Sequence, residues 1–241
     1  MPLAAAAHLQ FLSRLPPLPC REDLAALAQN YFFKTGKAAE IGVYQGGFSS
    51  HNLLTWQGEY YAIDTWQWRP ERGDRDKNFK SAAENDFNFQ RTLNNTARWR
   101  NRTHLVRSRS LEAATRFDNN TFDWIFIDAL HTREALHMDL MAWWPKLRVG
   151  GLMTGDDFGD GEDQELLPTS KFKRHTPLRQ GGVPEKYRWG VISALREFAA
   201  KVGAIIQISY LQGDGLIERP TDCYVFHAWY LVKPPAIWRE P

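Results

Sequence analysis

The chain has 241 residues, of which 43% are hydrophobic, 13% aromatic and 24% charged. This composition is typical of a folded globular domain and excludes a disordered or collagen-like chain. The 30 lysines and arginines nearly balance the 28 aspartates and glutamates, and no apolar run is long enough to cross a membrane. A nucleic-acid binder that tracks phosphates and a membrane-spanning protein are therefore both disfavoured.

The amino-terminal region lacks the pattern of a secretory signal. Its first twenty residues are apolar but have neither a basic start nor a clean cleavage site, although an organelle transit segment is left open. Cys20 and Cys223 are the only cysteines, which excludes a disulfide framework and a thiolate metal cage. Together these observations favour a cytoplasmic protein.

Predicted strands and helices alternate along the chain. Amphipathic spacing predicts a helix over residues 21–34, so that residues 1–35 form an amino-terminal helical segment. The alternation predicts an α/β protein, a single domain over residues 1–241 with a doubly wound, mostly parallel seven-stranded sheet and an antiparallel hairpin at one edge. The predicted strands cover 38–44, 60–64, 104–108, 122–128, 151–154, 204–211 and 223–232, and the later helices cover 49–54, 81–99, 132–147 and 190–201.

Two polar segments interrupt this alternation, at residues 65–79 and 158–189. Their length and their glycine and charge content are typical of functional loops, and we predict that they form an acceptor-binding cleft and lid. Four aromatic residues in or beside them are candidate walls for the acceptor: Trp66, Trp68, Tyr187 and Trp189.

Polar residues and glycines follow five consecutive predicted strands. Ligands of an open parallel sheet bind beyond the carboxyl ends of its strands, so the pattern predicts a nucleotide-type site there. Aspartate and serine are also common helix caps, which explains one or two of the positions but not all five. The residues are Glu40, Gly42 and Gly46, then Asp64, then Arg109 and Ser110, then Asp128 and His131, and finally Asp156 and Asp157.

The run from Glu40 to Gly47 distinguishes between cofactors. Tyr44 stands where a dinucleotide-binding fingerprint requires its second glycine, so no diphosphate cradle is evident. The run resembles motif I of the class I S-adenosylmethionine-dependent methyltransferases, an acidic residue followed by G-x-x-x-G. The resemblance implies a Rossmann-like fold in which Asp64 binds the ribose hydroxyls and two residues flank the adenine. It places the cofactor on Glu40, Gly42, Val43, Tyr44, Gly46, Ser49, Asp64, Arg109, Ser110 and Asp128.

The stretch from Phe122 to Phe158 resembles the metal-dependent O-methyltransferases, especially those that methylate sugar hydroxyls in macrolide biosynthesis. It has a strand ending in D-x-x-H, then a helix, then a Gly-Gly strand ending in Asp-Asp. The resemblance, which spans about residues 38–160, implies metal ligation by Asp128, Asp156 and Asp157, with His131 as the general base.

Elementary electrostatics leads to the same metal hypothesis. Three carboxylates at adjacent strand ends would repel one another unless a hard cation neutralised them, and oxygen ligands suit Mg²⁺, or Mn²⁺ or Ca²⁺, better than zinc. Two simpler interpretations stay open. Asp156 and Asp157 could only cap a loop, and His131 could be a solvated residue at a helix start.

The sequence therefore predicts an S-adenosylmethionine-dependent, divalent-metal-assisted O-methyltransferase acting on a hydroxyl of a sugar or another small polyol. A catechol or other phenolic acceptor is the first alternative. A nicotinamide-dependent oxidoreductase is disfavoured by Tyr44, and an RNA-directed or non-catalytic protein finds only scattered basic residues. We expect a small-molecule acceptor as partner, no nucleic acid and no membrane, and leave a homo-oligomer open.

Overall fold

The structure, a computed structural model, describes residues 20–67, 81–159, 190–209, 211–212, 215–216 and 227–235. It begins with an amino-terminal helical segment made of a 3₁₀ turn, an α turn and a π turn, Arg21–Asp23, Leu24–Ala26 and Leu27–Tyr31. The helices that follow are α1 (Gly47–Thr55), α2 (Ala82–Thr96), α3 (Ser110–Ala114), α4 (Arg133–Trp143) and α5 (Val191–Val202). The strands are β1 (Lys37–Ile41), β2 (Glu59–Asp64), β3 (Thr103–Arg107), β4 (Phe122–Ile127), β5 (Leu147–Gly155), β6 (Gln207–Ile208), β7 (Leu211–Gln212), β8 (Gly215–Leu216) and β9 (Trp229–Val232).

Seven strands form one sheet in the order β3-β2-β1-β4-β5-β9-β6, and β7 and β8 pair separately. The first five strands in this order are parallel, whereas β9 is antiparallel to both β5 and β6. This confirms the predicted mostly parallel seven-stranded sheet with an antiparallel edge pair. The order reverses between β1 and β4, which is where a doubly wound sheet opens a crevice for ligands.

The central strands are buried on both faces, as their nearly continuous apolar sequences predict. All six residues of β4 are buried, and the last four, residues 124–127, alternate between two cores on opposite faces of the sheet. Ile125 and Ile127 pack in one core with α4 and α5, while Trp124 and Phe126 pack in the other with the amino-terminal segment and α1. The layers thereby hold the strand ends in a fixed arrangement.

Several element boundaries differ from the prediction for identifiable reasons. The amino-terminal segment ends at Tyr31 rather than at residue 34, because Phe33 adopts a left-handed conformation with φ of 54°. Helix α4 ends at Trp143, since Pro145 lies in the 3₁₀ turn that follows. Strand β5 starts earlier than predicted and passes through Gly150, whose φ of 71° accompanies a shift in the pairing of β4 with β5.

Cys20 directly precedes the amino-terminal segment and is disulfide-bonded. Cys20 is therefore not a free thiol, and the cysteine content does not support the predicted cytoplasmic location. None of the helices in the described ranges combines the length and the apolar character that crossing a membrane requires.

Candidate active site

The loop after β1 runs directly against the end of β4, and Gly42 makes this possible. Its φ is 90°, and a Cβ at this position would lie 1.9 Å from the carbonyl oxygen of Asp128. The Gly42 N–H donates to the carbonyl oxygen of Ile63 at 2.9 Å, so the same loop is also tied to the end of β2. Only glycine fits this close approach.

Asp64, at the end of β2, holds this loop in place. Its Oδ2 accepts the backbone N–H groups of Val43 at 2.8 Å and Tyr44 at 2.9 Å, and its Oδ1 accepts the N–H of Trp66 at 2.9 Å. These bonds stabilise Tyr44 in a left-handed conformation, with φ of 56°, at the position where the dinucleotide fingerprint has glycine. Asp64 Oδ1 also accepts the Thr65 hydroxyl at 3.4 Å, so a ribose hydroxyl that binds this carboxylate would take the place of that long contact.

Glu40, on β1, is fully enclosed beneath the loop. One carboxylate oxygen accepts hydrogen bonds from the hydroxyls of Ser49 and Tyr60. Burial is the largest influence on this carboxyl and raises its pKa to about 8, against the lowering effect of these two hydrogen bonds. The structure thus brings Glu40 and Ser49 together, next to the glycine loop.

Arg109 and Ser110, which the resemblance places beside the adenine, lie just after β3 but have different surroundings. The Ser110 hydroxyl donates to Asp139 on α4 and accepts the indole N–H of Trp143 at 2.9 Å, so it ties α3 to α4. Arg109 instead lines a cleft of about 300 Å³ next to the end of β2. The cleft is lined by Thr65, Gln67, Arg107, Ser108, Arg109, Glu112 and Arg116.

The carboxylates that follow β4 and β5 are positioned by backbone contacts. The Asp128 N–H donates to the Ile41 carbonyl at 2.8 Å, which continues the β1–β4 pairing past the strand end. After β5, the indole N–H of Trp229 donates to the Asp156 carbonyl at 3.0 Å, and Asp157 adopts a left-handed φ of 56°. A non-glycine residue in this conformation is strained, and such strain often occurs at functional sites.

Three of these side chains meet at one point. His131 Nε2 lies 3.3 Å from Asp128 Oδ1 and 3.2 Å from Asp157 Oδ2. One ligand atom from each of the three residues falls within 4.8 Å of the other two, a spacing that a single metal ion can bridge. Asp156 lies outside this spacing, and its Oδ2 contacts the guanidinium of Arg21. We call the three residues of this group together with Asp156 the carboxylate cluster, that is, Asp128, His131, Asp156 and Asp157.

The electrostatics of the carboxylate cluster fit a cation. Burial, reinforced by neighbouring negative charge, raises the pKa values of Asp156 and Asp157. Burial would lower the pKa of His131, but its contact with Asp128 and the nearby carboxylates outweigh this and raise it. Oδ1 of Asp156 and Oδ1 of Asp157 are buried and accept no hydrogen bond from the described residues. Buried carboxylate oxygens in this state are suited to a hard divalent ion, whose binding would also displace protons.

Arg21 is the site residue that the sequence did not predict. Its guanidinium contacts Asp156 and lies 3.4 Å from Asp128 Oδ2, although these partners are 135 and 107 residues away in the chain. Burial opposes its charge, but the carboxylates outweigh burial and raise the Arg21 pKa. No local motif marks an arginine at the start of a helix as part of a site, so only the folded chain identifies it.

Of the four residues predicted to line the acceptor cleft, Trp66 lies within the described part of the chain. Trp66 is wrong as an acceptor wall, because it is fully buried and packs edge-on against Phe89 in the core. Its indole N–H donates to the Tyr44 carbonyl at 2.8 Å, so it supports the cofactor loop instead. Trp68, Tyr187 and Trp189 lie outside the described residues. So do nearly all of the two segments predicted to form the acceptor cleft and lid.

Residues 39–158, which contain the glycine loop and the whole carboxylate cluster, match the sequence profile of a methyltransferase domain family. The chain belongs to the class I S-adenosylmethionine-dependent methyltransferases. This outcome confirms the coarser part of the resemblance drawn from motif I. It also shows that the enzyme class is a methyltransferase rather than a nicotinamide oxidoreductase. A comparison with curated protein sequences gave no significant match.

Solved structures similar to this methyltransferase share its fold at low identity. A candidate S-adenosylmethionine-dependent methyltransferase from Methanococcus maripaludis superposes with a TM-score of 0.53 at 15% identity, covering 97% of this chain and 94% of that one. A candidate caffeoyl-CoA O-methyltransferase from Staphylococcus aureus gives 0.54 at 15% identity, covering 95% and 92%. The 1,6-didemethyltoxoflavin-N1-methyltransferase of Burkholderia thailandensis, solved with S-adenosylhomocysteine, gives 0.51 at 14% identity, covering 96% and 84%. At such identities the likeness establishes the fold alone.

Proposed function

We propose that this methyltransferase is a divalent-metal-assisted O-methyltransferase acting on a hydroxyl of a sugar or another small polyol. The observation that carries the proposal is the carboxylate cluster, which lies at the carboxyl ends of β4 and β5 beside the glycine loop. In the parallel sheet this is the crevice in which a cofactor is expected to bind. A divalent ion held by this cluster would lie next to the methyl donor, where it would activate an acceptor hydroxyl.

Asp128, Asp156 and Asp157 are the proposed metal ligands: Asp128 and Asp157 already have ligand spacing together with His131, and Asp156, which lies outside that group, would join them through its buried Oδ1. Their oxygen donors suit Mg²⁺, Mn²⁺ or Ca²⁺, and the buried Oδ1 atoms of Asp156 and Asp157 provide acceptors without hydrogen-bond donors among the described residues. When bound, such an ion supplies Lewis acidity, which lowers the pKa of an acceptor hydroxyl. S-adenosylmethionine supplies the methyl group, and Glu40, Asp64 and the loop after β1 are proposed to hold it.

His131 is the proposed general base. Its imidazole lies against Asp128 and Asp157, so a hydroxyl that reaches these carboxylates also reaches the imidazole. The His131 carbonyl accepts the N–H of Gly190 at 2.9 Å, and Thr132 caps α4 by accepting the N–H of Ala135. The chain therefore fixes the backbone at His131 and at the residue that follows it, which allows a proton to be taken at a defined place.

The function is tested by transfer of a labelled methyl group from S-adenosylmethionine to a panel of sugar polyols and catechols, with Mg²⁺ or with EDTA. We expect transfer to a sugar or polyol hydroxyl, loss of activity in EDTA and recovery when Mg²⁺ is added. Full activity in EDTA would contradict metal assistance. Transfer to catechols but not to polyols would favour the phenolic alternative, which uses the same chemistry of paired hydroxyls.

The role of His131 is tested by replacing it with alanine. We expect His131→Ala to lower turnover by roughly 10²–10⁴-fold, the usual contribution of a positioned general base, while the affinities for metal and S-adenosylmethionine stay unchanged. His104→Ala is the matched control, because His104 is an exposed histidine on β3 that pairs with Glu59 away from the carboxylate cluster. Unchanged turnover in His131→Ala would place the base elsewhere, and loss of metal affinity would make His131 a ligand.

A further inference from the structure

Arg21 places a positive charge inside the carboxylate cluster. Its Nη1 contacts Asp156 Oδ2 and lies 3.4 Å from Asp128 Oδ2, and only 16% of its side chain is exposed. Asp156 itself is 1% exposed, so this contact is shielded from solvent and weakly screened by salt. Two of the three proposed metal ligands are therefore already paired with a cation that belongs to the chain.

The position of Arg21 is built into the fold. Leu24, Ala25, Leu27 and Ala28 of the amino-terminal segment are buried in the core against α1 and the sheet. The Arg21 guanidinium also lies over the Phe48 ring, with its Cζ 4.9 Å from the ring centroid. The arginine is thus delivered to the cluster by an anchored helical segment rather than by a chance surface contact.

The charges around Arg21 determine its effect on the proposed metal site. The inference rests on that proposed site. The three carboxylates attract any cation, and a guanidinium between Asp128 and Asp156 repels a second cation that approaches the same oxygens. We propose that Arg21 is an internal counter-ion that competes with the divalent ion for Asp128 and Asp156. Arg21 stabilises the buried carboxylates when no metal is bound. It also lowers their affinity for a divalent ion relative to the same site without the arginine.

The test measures metal affinity without any turnover. Mn²⁺ is titrated into the full chain by calorimetry, for the wild type and for Arg21→Gln, with folding checked by circular dichroism. A charge a few ångströms from a divalent ion in a partly buried site changes its affinity substantially, so we expect Arg21→Gln to bind Mn²⁺ roughly tenfold or more tightly. Its melting temperature without metal should be lower than that of the wild type, and Mn²⁺ should raise it by more.

Arg148→Gln is the matched control. Arg148 pairs with the buried Asp123 at 3.0 Å at the opposite end of β4, so its loss removes an arginine–aspartate pair, a more exposed one, far from the site, and Mn²⁺ affinity should not change. If Arg21→Gln fails to fold, Arg21→Met, which retains an apolar stem over Phe48, is titrated instead with the same expectation. Equal or weaker Mn²⁺ binding in a folded Arg21 variant, with clear binding in the wild type, would overturn the inference. Absence of binding in the wild type and in every variant would overturn the proposed metal site itself.

Discussion

Asp64 combines two roles that a single substitution can test. It fixes the loop after β1 through the N–H groups of Val43 and Tyr44, and it is the proposed acceptor for the ribose hydroxyls. We expect Asp64→Ala to weaken S-adenosylhomocysteine binding by on the order of 1.5–3 kcal/mol, the range for hydrogen bonds to a charged group. Calorimetric titration measures this, with the exposed Asp118→Ala as control. Wild-type affinity in Asp64→Ala would show that the ribose binds elsewhere.

At the scale of single residues, sequence reasoning succeeded where a role depends on local backbone. Gly42 and Asp64 lie at fixed distances from predicted strand ends, so the topology alone brings them together. Arg21 could not be found in this way, because its partners Asp128 and Asp156 are more than a hundred residues away. Trp66 was misassigned because an aromatic residue in a polar segment gives no local sign of burial.

The contact between α3 and α4 makes a prediction about pH. The buried Asp139 of α4 receives the Ser110 hydroxyl of α3, and burial raises the pKa of Asp139 to about 6. An unfolded aspartate titrates near 4, so the folded state holds this proton more tightly, and the resulting stability is lost as the pH rises through about 6. Between about pH 4 and 7 the wild type should therefore lose up to about 3 kcal/mol of unfolding free energy that Asp139→Asn does not lose. The unfolding free energy of the variant minus that of the wild type should rise by this amount.

Urea denaturation across this pH range measures the difference between the two proteins. Comparing each variant with the wild type cancels the contributions of the other buried carboxyls, whose pKa values are also raised. The exposed Asp118→Asn should follow the wild type at every pH. Curves for Asp139→Asn and wild type that stay parallel from pH 4 to 7 would contradict an elevated pKa at Asp139.

At the scale of elements, apolar runs predicted β1, β2, β4 and β5 because most of their residues are buried, whereas the edge strand β3 has only half-buried and exposed residues. Boundaries were less predictable where neighbouring strands decide them. Strand β5 passes through Gly150 because it continues to pair with β4 and β9, and Gly155 is required because a Cβ there would lie 2.3 Å from the Trp229 ring. Strand β6 is only two residues long and pairs with β9 at the edge of the sheet.

For the whole molecule, the alternation of strands and helices predicted the sheet, and the strand ends predicted where polar residues converge. The acceptor could not be predicted to the same depth. Its proposed walls belong to segments 65–79 and 158–189, whose glycine and charge content specifies no regular packing. The cofactor crevice follows from topology, whereas acceptor choice is predicted to depend on these loops.

The central claim is that the crevice at the carboxyl ends of β1, β2 and β4 binds S-adenosylmethionine. The most direct measurement is a calorimetric titration of the wild-type chain with S-adenosylhomocysteine and, separately, with NADH. We expect saturable binding of one S-adenosylhomocysteine per chain and no binding of NADH, because Tyr44 occupies the position of the glycine that a diphosphate requires. Saturable binding of NADH, with none of S-adenosylhomocysteine, would contradict it.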